Sequence, residues 1–126
     1  MPASKPVVVA ADQQPDARPA YQCPMVRFVD LVAGKWAVPV LYRLIVEDRP
    51  MRFSELQRAI APITQKELTR HLRAFERNGL VTRQIHAEVP PRVEYRATEL
   101  GRTLRDPLAG LAGWVEQYAH KLDGDA

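Results

Sequence analysis

A chain of 126 residues, 46% of them hydrophobic, suits one compact domain and excludes wholesale disorder. No apolar run approaches the roughly 18 residues of a membrane span, and Val7 to Ala11 is too short for a secretory core, so the expected location is the bacterial cytoplasm. One cysteine, Cys23, and three scattered histidines, His71, His86 and His120, exclude an intrachain disulfide and any recognisable metal site, and no cofactor motif is present.

The net charge of +3 is modest, but it is concentrated. Residues 64–96 hold seven Lys/Arg and four acids, and the rest of the chain holds eleven of each. A local excess of this kind suits an anionic partner.

Residues 1–21 contain Pro2, Pro6, Pro15 and Pro19 without periodicity, which predicts a flexible N-terminal arm. A folded domain is expected over 22–123, with a short tail over 124–126. Pro24 opens a first helix, because its missing N–H would be unpaired there anyway. Phe28, Leu31 and Val32 give that helix an apolar side, and Gly34 ends it. Trp36, Val40 and Leu44 mark a second helix from about Lys35 to Val46, with Pro39 in its first turn or at a kink.

Ser54 and Gln57 form an S-x-x-Q box that predicts a third helix capped at Ser54. After Ala61-Pro62-Ile63, Thr64 and Glu67 form a second box, opening a helix that runs to Asn78 before Gly79. Two capped helices so close together predict a helix-turn-helix. Val81 to His86 and the alternating run Arg92 to Ala97, joined through Pro90-Pro91, predict a two-stranded wing.

Thr98 then caps a helical segment reaching about Leu122. Within it Leu104, Leu108, Leu111, Val115, Tyr118 and Leu122 repeat with heptad-like spacing. That seam predicts pairing with a second copy, helped by the first helix; the alternative is packing on the chain's own domain. Pro107 interrupts it. Either Asp106 caps a fresh helix with Pro107 in first position, or the helix bends there. The expected fold class is mainly α (α+β), a winged helix-turn-helix with N- and C-terminal dimerisation helices.

On a helical wheel Leu68, Leu72 and Phe75 share an arc of roughly 60°. Lys66, Arg70, Arg73 and Arg77 share a similar arc on the other side, with Thr69 at its edge and Gln65 near the start. This face predicts a recognition helix in the major groove of double-stranded DNA. Gln65, Lys66, Thr69 and Arg70 are residue types that read bases, and Arg73 and Arg77 suit phosphates. Arg92, beside the stiff Pro90-Pro91 tip, suits the minor groove. The alternative is a winged-helix module that binds protein. A thiol enzyme is not expected, because no base is placed beside Cys23.

Cys23 precedes a helix start, with Arg27 one turn on, where the dipole favours a thiolate. It is either a reactive thiol or a small buried apolar residue.

Four stretches carry a resemblance to a known family. They are Cys23-Pro24, Gly34-Lys35-Trp36, Thr64-Gln65-Lys66-Glu67-Leu68-Thr69 with Leu72, and Glu88-Val89-Pro90-Pro91-Arg92-Val93-Glu94-Tyr95, followed by Thr98-Glu99-Leu100-Gly101. The chain resembles the HxlR-type regulators, relatives of MarR-type winged-helix repressors, over about residues 23–115. The resemblance implies a dimeric repressor on a palindromic operator. It also implies sensing of oxidants or electrophiles through Cys23, as many members do. A small-molecule effector is compatible with it, but no residue identifies a pocket. Pro39 and the proline-rich arm depart from the family pattern.

Overall fold

The computed structural model describes residues 23–122. The expected arm and tail lie outside the described residues. The chain divides into two compact units, Met1–Asp30 and Leu31–Ala126. Helix α1 (Pro24–Leu31) begins at the predicted proline and leaves Met25, Val26 and Val29 exposed. It stops three residues short of Gly34.

In the second unit, α2 (Ala37–Glu47) contributes Val40, Leu41 and Leu44, all fully buried. Pro39 is its third residue, where a helix has no internal acceptor for the N–H that proline lacks. Strand β1 (Met51–Arg52) follows, then α3 (Phe53–Ala59). The box expected at Ser54 does not form. Pairing of β1 holds Arg52 extended, so the helix starts at Phe53, and the Arg52 N–H donates to Glu55 Oε1 at 2.9 Å. Ser54 lies inside the first turn.

The break at Ala61-Pro62-Ile63 is as expected, with Ile60 and Ile63 buried beneath it. Helix α4 (Gln65–Arg77) completes a helix-turn-helix with α3. Strands β2 (Val81–His86) and β3 (Arg92–Ala97) pair antiparallel, from Val81 opposite Ala97 to His86 opposite Arg92. The sheet has three strands rather than two, in the order β1-β3-β2, with Met51 opposite Tyr95. A two-residue strand is too short to show a period of two, and hence was invisible in the sequence. Leu56, Leu68, Leu72, Phe75, Val81, Met51 and Ala97 close the core against α2.

The C-terminal segment is not one helix. Thr98 caps α5 (Glu99–Arg102), accepting from the Gly101 N–H at 2.9 Å and donating to the Gly79 carbonyl at 2.6 Å. The chain then tightens into three-residue bonds, Thr103 N–H to Leu100 O and Leu104 N–H to Gly101 O. Helix α6 (Arg105–Tyr118) starts with Leu104 as its cap residue and Pro107 third, and a short 3-10 turn (Ala119–Lys121) follows it. Pro107 has no N–H to offer the Thr103 carbonyl, so a continuous helix would lose a bond there. Of the two expectations for Asp106-Pro107, the fresh helix forms, but two residues earlier, with Leu104 instead of Asp106 as its cap.

Gly101 lies directly on the Leu80 backbone, and a Cβ there would collide with the Leu80 carbonyl oxygen, which already accepts from the Thr98 N–H at 3.0 Å. Backbone cannot step aside as a side chain does. Gly101→Ala is therefore expected to destabilise the fold by about 1–3 kcal/mol, read as a lower urea midpoint; an unchanged midpoint would show that α5 can shift freely.

Candidate nucleic-acid interface

The ends of α4 are fixed before its faces are used. At the start, Thr64 Oγ1 accepts the Glu67 N–H and Glu67 Oε1 accepts the Thr64 N–H, both at 3.1 Å. The Thr64 N–H holds the Glu67 carboxyl below its ordinary range. At the end, the Leu80 N–H donates to Phe75 O at 2.9 Å and the Gly79 N–H to Glu76 O at 3.1 Å. With Gly79 at φ 76°, this is a Schellman stop.

Between these ends the helix divides as its sequence predicts. Leu68, Leu72 and Phe75 are buried. Gln65, Lys66, Thr69, Arg70, Arg73 and Arg77 together line one shallow, open groove of about 630 Å³. Thr69 is half-buried and the other five are exposed. Elsewhere arginines meet carboxylates, as in Arg43–Glu47, Arg49–Glu55 and Arg102–Asp48. No ion pair found among the described residues engages Lys66, Arg70, Arg73 or Arg77. The groove is therefore a run of cations without internal counter-ions.

Arg92 is not brought to this groove. Its Nη2 lies 3.1 Å from Glu88 Oε2 and its Nε 3.8 Å from Glu94 Oε2. Glu94 also holds His86 Nε2 at 2.8 Å. Alternation along β3 puts Arg92 on the sheet face opposite Val93 and Tyr95. It is those two that line a cleft with Gln65, Thr69 and Arg73 of α4.

His71 is the residue the sequence reading passed over. It is 4% exposed on the inner face of α4, and its ring stacks on Phe75 at 6.3 Å. Its spacing from Leu68 and Phe75, three and four residues, was the available signal. Burial, and then Arg70, push its pKa down.

Cys23 stands immediately before α1, half-buried, with its carbonyl accepting the Val26 N–H at 3.0 Å. The α6 seam divides. Leu108 is buried in the chain's own core and Leu104 is half-buried. Leu111, Val115 and Leu122 stay exposed, Tyr118 is half-buried, and the exposed Trp114 meets the Tyr118 ring at a tilt of 46°, centroids 5.4 Å apart. Trp114 fell outside the expected spacing. Among the described residues no helix is long and apolar enough to cross a membrane, and no group of three or more acids, histidines or cysteines is placed to hold a metal ion.

Residues 31–123 match the family model described as HxlR-like helix-turn-helix. The chain is 41% identical over 101 residues to the HTH-type transcriptional regulator YdeP of Bacillus subtilis, covering 80% of this chain and 77% of YdeP. In structure it resembles the redox regulator HypR in its reduced form, with TM-score 0.74 and 37% identity over 81% of this chain and 99% of HypR. It also resembles the reduced form of the transcriptional regulator YodB from B. subtilis, with TM-score 0.67 and 32% identity over 82% of this chain and all of YodB.

The buried His71 carries a pH consequence. Its folded pKa lies below the ordinary 6.5, so the unfolded chain takes up the proton first. Its stabilising effect is complete above that value and is lost as pH falls through the folded pKa. Urea midpoints measured from about pH 7 down to about pH 5 should fall more steeply for the wild type than for His71→Gln. Parallel profiles would show that His71 does not titrate between the two states.

Proposed function

The chain belongs to the HxlR-like helix-turn-helix family, and from that premise we propose that it is a sequence-specific DNA-binding transcriptional regulator, acting as a homodimer and repressing at a palindromic operator. The observation that carries this reading is the α4 groove, where six polar or cationic side chains converge without internal counter-ions. Such a helix suits the major groove. In this reading Gln65, Lys66, Thr69 and Arg70 contact base edges and Arg73 and Arg77 contact phosphates. Arg92, assigned to the minor groove, pairs with Glu88 and Glu94, so a DNA contact there would use its remaining N–H donors or exchange one of these partners. Repression is the mode that the family resemblance implies.

The dimer reading rests on the apolar patch of Leu111, Trp114, Val115 and Leu122, with Tyr118 beside it. Large exposed apolar patches mark interaction sites. A two-fold pair would place two α4 helices on two half-sites. The sensing reading rests on Cys23 at a helix start. Its thiol would add to an electrophile such as a quinone, forming a C–S bond while the thiol proton passes to one quinone oxygen and the ring proton at the attacked carbon shifts to the other, leaving a substituted hydroquinone.

Arg70→Ala should weaken binding to the cognate operator by about 1–3 kcal/mol if Arg70 reads a base. An equal loss on a scrambled duplex would make Arg70 a phosphate contact, and wild-type binding insensitive to salt would favour a protein-binding module instead.

Sedimentation should give twice the chain mass for the wild type and for Cys23→Ser alike. A quinone should weaken operator binding of the wild type only. A monomeric mass at micromolar concentration would defeat the dimer reading, and an equal response in both proteins would defeat the sensing one.

A further inference from the structure

Arg73 and Arg77 line two recesses at once. One is the groove along α4. The other, of about 490 Å³, is bounded by Arg73, Glu76, Arg77 and Arg83, and joins the C-terminal half of α4 to β2. Three arginines and one glutamate bound it, and Arg83 is the arginine paired with Glu76. Glu76 Oε2 lies 3.3 Å from Arg83 Nε, with the two side chains 27% and 45% exposed. Arg83 stands opposite Tyr95 in the β2–β3 register, and both line the cleft that reaches Leu72 and Glu76 of α4. Arg83 thus approaches from the sheet side the same space that Arg73 and Arg77 approach from the helix.

We propose that Arg73, Arg77 and Arg83 form a site for a backbone phosphodiester of the duplex, and that Glu76 is its resident counter-ion, holding Arg83 in place until phosphate arrives. This rests on the DNA-reading function and extends its footprint from the helix to the sheet. A phosphodiester brings one negative charge to three cations and one anion, so the site favours it while Glu76 opposes it. An exposed ion pair is weak, so Arg83 can exchange its partner readily. The guanidinium has five N–H donors, more than one carboxylate oxygen at Nε occupies. Glu76 therefore acts as a positioning residue that lowers affinity for any duplex, and Arg83 adds a contact that carries no sequence information.

The test is a salt titration on a mixed-sequence synthetic duplex, with thermal melts to confirm folding. Arg83→Gln should reduce the magnitude of the log affinity against log salt slope by about 0.9 for the lost phosphate contact, and Arg83→Lys should keep it. Glu76→Gln should tighten binding severalfold at low salt, with the gain shrinking as salt rises. That gain should be smaller in the Arg83→Gln background. Exchange of chloride for inorganic phosphate at matched ionic strength should weaken binding more in the wild type than in Arg83→Gln. An unaltered slope in Arg83→Gln, or weaker binding in Glu76→Gln, would overturn the site while leaving the reading helix intact. A phosphate effect of equal size in both proteins would overturn it too. A wild type with no salt slope would overturn both proposals.

Discussion

One thirteen-residue helix, α4, buries an apolar face on one side and, among the described residues, carries four cations without ion pairs on the other, and the rest of the fold is arranged around that division. On its outer side Lys66, Arg70, Arg73 and Arg77 follow each other at spacings of four, three and four, so each neighbouring pair repels by roughly 0.2–0.5 kcal/mol. On its inner side Leu68, Leu72 and Phe75 are buried. Each such side chain contributes about 1.5–3 kcal/mol relative to exposure. Burial exceeds the repulsion severalfold, so the helix can carry a face of like charge that would be poorly stable in isolation. The α2 residues Val40, Leu41 and Leu44 supply the other half of that burial.

The acids near this face are each committed elsewhere. Glu67 closes the cap with Thr64, an arrangement worth about 1 kcal/mol. Glu76 turns to Arg83 on the sheet. Across the wing, Glu88 and Glu94 hold Arg92. Exposed pairs of this kind add little stability. Their larger effect is on where positive charge remains unopposed, and within the described residues that includes the whole α4 groove. The modest net charge is therefore compatible with a strongly polarised surface.

How much of this could be read in advance depended on whether local chemistry or a distant contact decided the outcome. The Thr64-x-x-Glu67 box, the Gly79 stop and the wheel of α4 are local, and each took the expected form. Ser54-x-x-Gln57 carries an equally local signal and failed, because β1 pairs with a strand more than forty residues away and sets the helix start itself. The break before α6 was half legible: Pro107 announced an interruption, but not that three-residue bonds at Thr103 and Leu104 would place it. The cationic face of α4 emerged almost whole from spacing. Arg83 did not, since only the β2–β3 register brings it beside α4. Arg92 pairs with the two flanking carboxylates, an arrangement that its residue type and turn position do not reveal.

The path from the apolar patch to α4 runs through one shared core. Leu108 anchors the first turns of α6 in the core, and the exposed residues Leu111, Trp114 and Val115 lie one and two turns further along the same helix. That core is shared with α2, which packs directly on α4. Close-packed interiors transmit displacement instead of absorbing it. If a second copy seats on α6, the angle of that pairing is passed through Leu108 and α2 to Leu68, Leu72 and Phe75, and so to the direction in which Arg70 points. The separation of two reading helices would then be fixed by packing, with no flexible linker between the pairing surface and the groove.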